Sequence, residues 1–458
     1  MTQLSPHKRI ILCADGTWLA SDLGDESVPS NVAKLARAIS PNGLDDQGRI
    51  IKQIVSYHSG VGSGDLPFQK AIAGGIGWGL DADVTQIYDF ISNNYQPGDE
   101  LFFFGYSRGA FTVRSVAGLV SNIGVLSSTN MSHFPEMWRA YRKNTGGRSF
   151  KESSWYRDNK PRLCLKTPRI KAIGVWETVG ALGIPEWPVV HWLSTIGISL
   201  NKQYAFHDTK ISSNVDYAFQ ALAIDEKRLT FPPTLWHATR DAPAIKLEQC
   251  WFPGVHSDVG GQTDNPRDTS GAELGYNTFA WMVDNVSQML TFEKTAIDAL
   301  IQEHSQALAS IRISNGWGCG KIIDNFSGIT GALFGLLGKR VRTPAGGYDR
   351  DPGDGTSGTT EESFHPIVRV RRAKVPKWQP PALKGFELLE QGKSSEWVKR
   401  GARSLPEYIL LPSKRMSVSI RDQTGDARYT TIDSMSRTLC PAAILAELDE
   451  ANNTVNSI

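Results

Sequence analysis

The sequence predicts an α/β protein with a mostly parallel central sheet flanked by helices. Three observations carry that expectation. Short apolar runs alternate with segments of helical period. One run, 101–104 (LFFF), is apolar on both faces, as strands inside a parallel sheet are. The 458 residues are 40% hydrophobic with 43 Gly and 24 Pro, which supplies a large core and excludes collagen-like or wholly low-complexity chains. Lys plus Arg (49) against Asp plus Glu (47) leaves +2. That balance argues against a strongly basic nucleic-acid binder.

The elements follow in order. Residues 9–14 (RIILCA) read as a buried strand entering the turn Asp15-Gly16-Thr17-Trp18. Asn31 is a good N-cap before apolar positions 32, 35, 36 and 39, the spacing of a helix. A second strand spans 50–57. The glycine-rich loop at 60–65 (GVGSGD) lacks the spacing of phosphate-cradling loops and reads as a flexible loop facing the site. A second helix spans 80–95 and closes at the turn 97–99 (PGD). Strands follow at 101–104, 170–176 and 248–255, with a helix at 110–124. The stretch 217–228 (YAFQALAIDEKR) fits a helix, with Asp225 and Glu226 at its end or paired with Lys227 and Arg228. Such alternation means βαβ units. Residues 344–362, rich in Gly, Asp and Thr, read as a flexible linker between a domain at 1–343 and a C-terminal extension at 363–458.

The five cysteines, at 13, 164, 250, 319 and 440, form no C-x-x-C pair. Metal-knuckle and redox readings gain no support, and free thiols suit a reducing compartment. Residues 1–9 carry no signal-peptide core, and no stretch approaches the roughly 20 apolar residues of a membrane span. The expectation is a soluble cytoplasmic protein, and export that needs no cleaved signal would leave no trace here. No metal or organic cofactor is implied.

Gly105-Tyr106-Ser107-Arg108-Gly109 is the one G-x-S-x-G of the chain, and it lies between a strand and a helix, as a nucleophile elbow must. The turn exposes the serine Oγ, and flanking glycines let strand and helix approach closely. Such a serine needs a base, an orienting acid and an oxyanion hole. In the α/β-hydrolase fold the chain order is serine, acid, histidine. His256 closes an apolar strand and opens a glycine-rich loop, which selects it over histidines 133, 191, 207, 237, 304 and 365. Glu177 directly follows the strand 173–176 and is the expected acid; Asp225 is the runner-up. The oxyanion donors expected are the N–H of Arg108 and those of Gly16 and Thr17. The phosphatase reading of Asp15-Gly16-Thr17 needs an aspartate where this chain has Cys13.

Two apolar stretches have double readings. Residues 183–215 hold Ile184, Trp187, Val189, Val190, Trp192 and Leu193. They form a cap insertion in which Trp187 and Trp192 line the substrate, or they complete the core. Residues 329–337 (ITGALFGLL), followed by Lys339, Arg340 and Arg342, make transient contact with a membrane surface or form a buried helix whose basic end suits its dipole.

Together IILCADGTW, GVGSGD, GWGLDADVTQIYDFISNNYQPGDELFFFGYSRGAFTVRSVAGLV, IGVWETVGALGIP, ALAIDEKR and CWFPGVHSDVGG, in this order across about 9–285, resemble one α/β-hydrolase family. It includes catalytic domains of type VI secretion phospholipase effectors. The resemblance implies a serine hydrolase of acyl esters, of lipase or phospholipase type, with Ser107 as nucleophile and His256 as base. The family motif V-W-D-T-V has Asp where this chain has Glu177. The family also tends to carry His at the position of Gln220. The alternatives are a carboxylesterase of small molecules and a binding protein on a hydrolase scaffold.

Overall fold

The computed structural model describes residues 3–16, 28–60, 78–143, 150–164, 167–179, 211–238, 246–263, 269–348, 359–391, 394–412, 415–421 and 426–453. Its strands are β1 (Leu4–Ala14), β2 (Asn42–Leu44), β3 (Ile50–His58), β4 (Glu100–Tyr106), β5 (Ile170–Trp176), β6 (Val215–Ala223), β7 (Lys246–Phe252), β8 (Phe292–Glu293), β9 (Glu362–Phe364), β10 (Glu387–Gln391), β11 (Ser394–Val398), β12 (Leu405–Pro406), β13 (Met416–Arg421) and β14 (Ala427–Ile432). Its helices are α1 (Asn31–Ala38), α2 (Trp78–Asn94), α3 (Arg108–Ile123), α4 (Phe134–Lys143), α5 (Ser154–Leu163), α6 (His256–Val259), α7 (Thr269–Val286), α8 (Lys294–Ser310), α9 (Gly328–Leu337), α10 (Ile367–Lys374), α11 (Met435–Leu439) and α12 (Ala442–Asn453).

Eight strands make the central sheet in the order β2-β3-β1-β4-β5-β6-β7-β9. All neighbours pair in parallel except β2 with β3. The double-sided apolarity of β4 explains its central place. Phe102 and Phe104 pack with Val32 and Leu35 of α1 and Phe279 and Trp281 of α7 on one face. Leu101 and Phe103 pack with Ile87 of α2 and Val116 and Leu119 of α3 on the other. Each buried phenylalanine is worth about 2–3 kcal/mol of transfer free energy, so this strand can exist only with helices on both sides.

Two sequence expectations change. Of the stretch read as a helix around 217–228, residues 217–223 belong to β6, which runs between β5 and β7 and is buried along most of its length. A strand covered on both faces loses period-2 alternation, and its alanines mimic a helical pattern. Within the stretch read as a linker, residues 349–358 lie outside the described residues; Ala345 is buried and Glu362 opens β9. Residues beyond 362 share sheets with the earlier chain, because β9 pairs with β7 and β13 pairs with β8.

Candidate active site

Ser107 sits between β4 and α3 with φ 57° and ψ −120°. A non-glycine residue held there stores about 1–3 kcal/mol of strain. Close packing holds it. A Cβ built on Gly109 would lie 2.1 Å from the Ala14 carbonyl oxygen, and one on Gly105 would lie 2.6 Å from Ala110 Cα. Both positions of the elbow therefore require glycine, and the turn is pressed against the end of β1.

His256 follows β7 through Gly254, which has φ 114°, and opens α6. Its Nε2 lies 2.9 Å from Ser107 Oγ, and its Nδ1 lies 3.2 Å from Glu177 Oε2. Tyr106 and Phe231 flank the imidazole, with ring centroids 4.9 and 5.0 Å away. Glu177, at the end of β5, is fully buried with φ 48°. Its Oε1 accepts from the Ala223 N–H at 2.7 Å, and its Oε2 accepts from Arg342 Nη2 at 2.8 Å. The sequence-expected serine, histidine and glutamate are thus brought together in one line of contacts.

Asp225 lies elsewhere. Its carboxylate accepts from the Gly254 N–H at 2.8 Å and from Trp378 Nε1 at 3.0 Å, so it fastens the loop before His256. Arg108 is the first residue of α3, where its N–H has no intrahelical acceptor. Gly16 corrects an expectation: its N–H donates to Asp15 Oδ1 at 2.7 Å. Buried Asp15 also accepts from Ser30 and Tyr57, which makes it the organiser of this turn. Thr17, Trp187 and Trp192 lie outside the described residues, as does most of the cap stretch 183–215. Gln220 accepts from Arg114 and Thr178 and donates to the Thr234 carbonyl.

Two contacts of the site escaped the sequence reading. Arg342 was grouped with Lys339 and Arg340 as a basic helix end, yet it is buried against Glu177, 165 residues away in the chain. Glu226 Oε2 accepts from the His256 N–H at 3.2 Å and from Asn325 Nδ2 at 3.1 Å, and its carboxylate forms a two-point pair with Arg228. The sequence already offers the pairing of Glu226 with Arg228, but nothing in it points to the contact with His256.

The electrostatics favour a neutral imidazole beside an ionised carboxylate. Burial lowers the His256 pKa below its ordinary value, and Glu177 offsets only part of that. For Glu177 burial pushes upward, but Arg342, His256 and the Ala223 N–H outweigh it and hold it below the usual carboxylate range. Burial likewise opposes ionisation of Glu226, but Arg228 and Arg342 hold it at about 2. A neutral imidazole with Nε2 on a serine hydroxyl can accept that proton, and an ionised partner on Nδ1 fixes the required tautomer. Among the described residues, no group of three or more His, Cys, Asp or Glu is spaced to hold a metal ion. None of the described helices is long and apolar enough to cross a membrane.

Known proteins resemble this chain in part. Uncharacterized protein YEL023C of Saccharomyces cerevisiae is 29% identical over 152 residues, which are 30% of this chain and 21% of that protein. The chain thus spans about a fifth of that relative's length. The structure of the Tle1 effector bound to the VgrG spike from the type 6 secretion system matches with 21% identity and a TM-score of 0.30, covering 57% of this chain and 52% of that one. An uncharacterized protein from Pseudomonas aeruginosa matches with 15% identity and a TM-score of 0.33, covering 61% and 45%. The model of the Tle1-like phospholipase effector catalytic domain of type VI secretion matches residues 8–285, the stretch that carries Ser107, Glu177 and His256, and the chain belongs to that family.

Proposed function

We propose that this protein is a serine hydrolase that cleaves acyl esters of lipids, of phospholipase type, on an α/β-hydrolase scaffold. The observation that carries the reading is the contact line Ser107 Oγ, His256 Nε2, His256 Nδ1, Glu177 Oε2 at 2.9 and 3.2 Å behind a strained serine. Family membership supplies the lipid ester as substrate class. The strand order β3-β1-β4-β5-β6-β7, with the serine after β4 and the histidine after β7, supports the scaffold. The family is one of secreted effectors, so we read the cytoplasm as the place of synthesis.

In this mechanism Ser107 Oγ attacks the ester carbonyl carbon as His256 Nε2 takes its proton. The imidazolium is held by Glu177. His256 then gives the proton to the leaving alcohol, and the acyl group stays on Ser107. Water repeats the sequence and releases the fatty acid. The Arg108 N–H is the oxyanion donor we assign among the described residues, because the Gly16 N–H is held by Asp15.

The test is labelling with a fluorophosphonate serine probe, the native protein beside Ser107→Ala, with and without phospholipid vesicles. Labelling of the native protein alone, followed by release of fatty acid from vesicles, is the expected outcome. A folded native protein that stays unlabelled in both conditions overturns the reading. Cleavage of short-chain esters with none of phospholipid would assign the carboxylesterase alternative.

A further inference from the structure

The rim of the site on the His256 side is built by an uncharged helix. Phe231, whose ring lies 5.0 Å from that of His256, meets Phe334 of α9 at 6.1 Å. The end of α9 is pinned to the chain before Phe231. The Leu229 N–H donates to the Gly338 carbonyl, Arg228 bridges Lys339 in antiparallel fashion, and the Arg340 N–H donates to the Lys227 carbonyl at 2.8 Å. On these two joined segments Leu336 is 85% exposed, Leu229 46% and Val341 39%. They are three of the seven large apolar side chains exposed among the described residues. A single exposed leucine is ordinary, whereas several gathered on two joined segments beside one site mark a contact surface.

Basic groups outnumber acidic ones around this patch; the exposed carboxylate beside it is Asp324, two residues before Phe326, over whose ring Lys339 lies at 4.2 Å. From 325 to 348 the sequence holds Lys339, Arg340 and Arg342 and no carboxylate. Arg342 turns inward to Glu177. Lys339 and Arg340 are exposed and Lys227 is half-buried. Glu226, next to Lys227, is buried in its pair with Arg228. The ten residues of α9 span about 15 Å, half the thickness of a bilayer core, so the helix can lie in a membrane surface but not cross it.

We infer that this rim docks on a phospholipid bilayer that carries anionic lipid. Leu336, Leu229 and Val341 enter the interface, and Lys227, Lys339 and Arg340 meet the headgroup phosphates. The inference rests on the lipid-ester reading above and deepens it, because docking here brings lipid to the rim at His256. Arg342 follows α9 closely and binds Glu177, so the docked segment is tied directly to the site.

The test uses the full chain as Ser107→Ala, which leaves lipid uncut, floated with vesicles of phosphatidylcholine alone or mixed with phosphatidylglycerol. Binding to the mixed vesicles is expected to fall about tenfold or more for Leu336→Asp and for the double change Lys339→Glu with Arg340→Glu, and to be weaker on phosphatidylcholine alone. On the active background, Leu336→Asp should turn over a soluble short-chain ester within about twofold of the parent, since an exposed side chain carries little folding energy. Equal vesicle binding by Leu336→Asp, or no binding by the parent, overturns the inference. So does a dimer that Leu336→Asp dissolves without changing vesicle binding, which would assign the patch to a second copy of the chain. The mutant pattern in vesicle binding with no ester turnover by the native protein would sink the hydrolase reading and leave the docking surface standing.

Discussion

Replacing Glu177 by glutamine tests the site with a change of one atom. The carboxylate faces three donors: the Ala223 N–H at 2.7 Å, Arg342 Nη2 at 2.8 Å and His256 Nδ1 at 3.2 Å. A glutamine has one acceptor oxygen for this set. With that oxygen on Ala223, the amide NH2 faces Arg342 and His256, and the histidine must move its proton to Nε2, where it can no longer accept from Ser107. With the oxygen on Arg342 and His256, a buried backbone N–H is left facing a donor, at about 1–3 kcal/mol of stability. The first orientation costs about 10⁴-fold in rate, or about 5.5 kcal/mol of barrier. The assay is kcat/KM on a soluble ester, with thermal unfolding in parallel. A loss of less than about tenfold in a protein of native stability would refute the assignment. Asp225→Asn is the control. Gly254 N–H and Trp378 Nε1 can both be met by an amide oxygen, so activity should stay within severalfold. If that change silenced the protein while Glu177→Gln did not, the roles of the two acids would be reversed.

Three further outcomes follow from the same geometry. Burial lowers the His256 pKa despite Glu177, so kcat/KM should be full at neutral pH and fall with a midpoint below about 6.5; an acid limb centred above 7 contradicts this. Arg342→Met leaves a buried carboxylate short of its cation, and should cost about 3 kcal/mol in urea unfolding at pH 7. Because the folded Glu177 pKa is depressed, its contribution is present above the unfolded value of about 4.3 and is lost as pH falls through the folded value. The gap between native and Arg342→Met should therefore shrink in acid, and a constant gap contradicts the ion pair. Ser107→Gly should be more stable than Ser107→Ala by about 1–2 kcal/mol, since glycine relieves the strain at φ 57° while both abolish turnover; equal midpoints would mean that the elbow stores no strain.

The legible parts of the site were those set by short-range patterns. Ser107 stands out because an apolar strand, two close-packing glycines and a helix adjoin it within a few residues. His256 and Glu177 are each the first polar residue after an apolar strand. The strand β6 was misread for a physical reason: buried on both faces between β5 and β7, it shows no alternation, and tertiary pairing overrode the helical propensity of its alanines. Arg342 was illegible for another. Nothing local distinguishes it from Lys339 and Arg340, and only the folded chain decides which of the three cations turns inward to a carboxylate 165 positions away. The Gly16 N–H failed similarly, because its acceptor is the side chain of the preceding residue, a contact that spacing does not announce.

Two buried ion pairs flank His256, although such pairs add little stability, and the proposed mechanism gives them a role. Glu177 with Arg342 and Glu226 with Arg228 sum to zero around a neutral imidazole. On the proposed mechanism the transition state creates an imidazolium and an oxyanion together, which again sum to zero. Arg228 opposes charge on the histidine, and its partner Glu226 works against that. Glu177 contacts Nδ1 and Glu226 the backbone N–H of His256, so both carboxylates touch this residue. The new positive charge therefore forms next to fixed negative ones, with no reorganisation needed at that moment. A lone glutamate in the same place would be driven by burial toward its neutral form and could not hold the imidazolium. On the proposed mechanism the second pair and Arg342 favour the charged transition state, and their removal should lower kcat even where the fold survives.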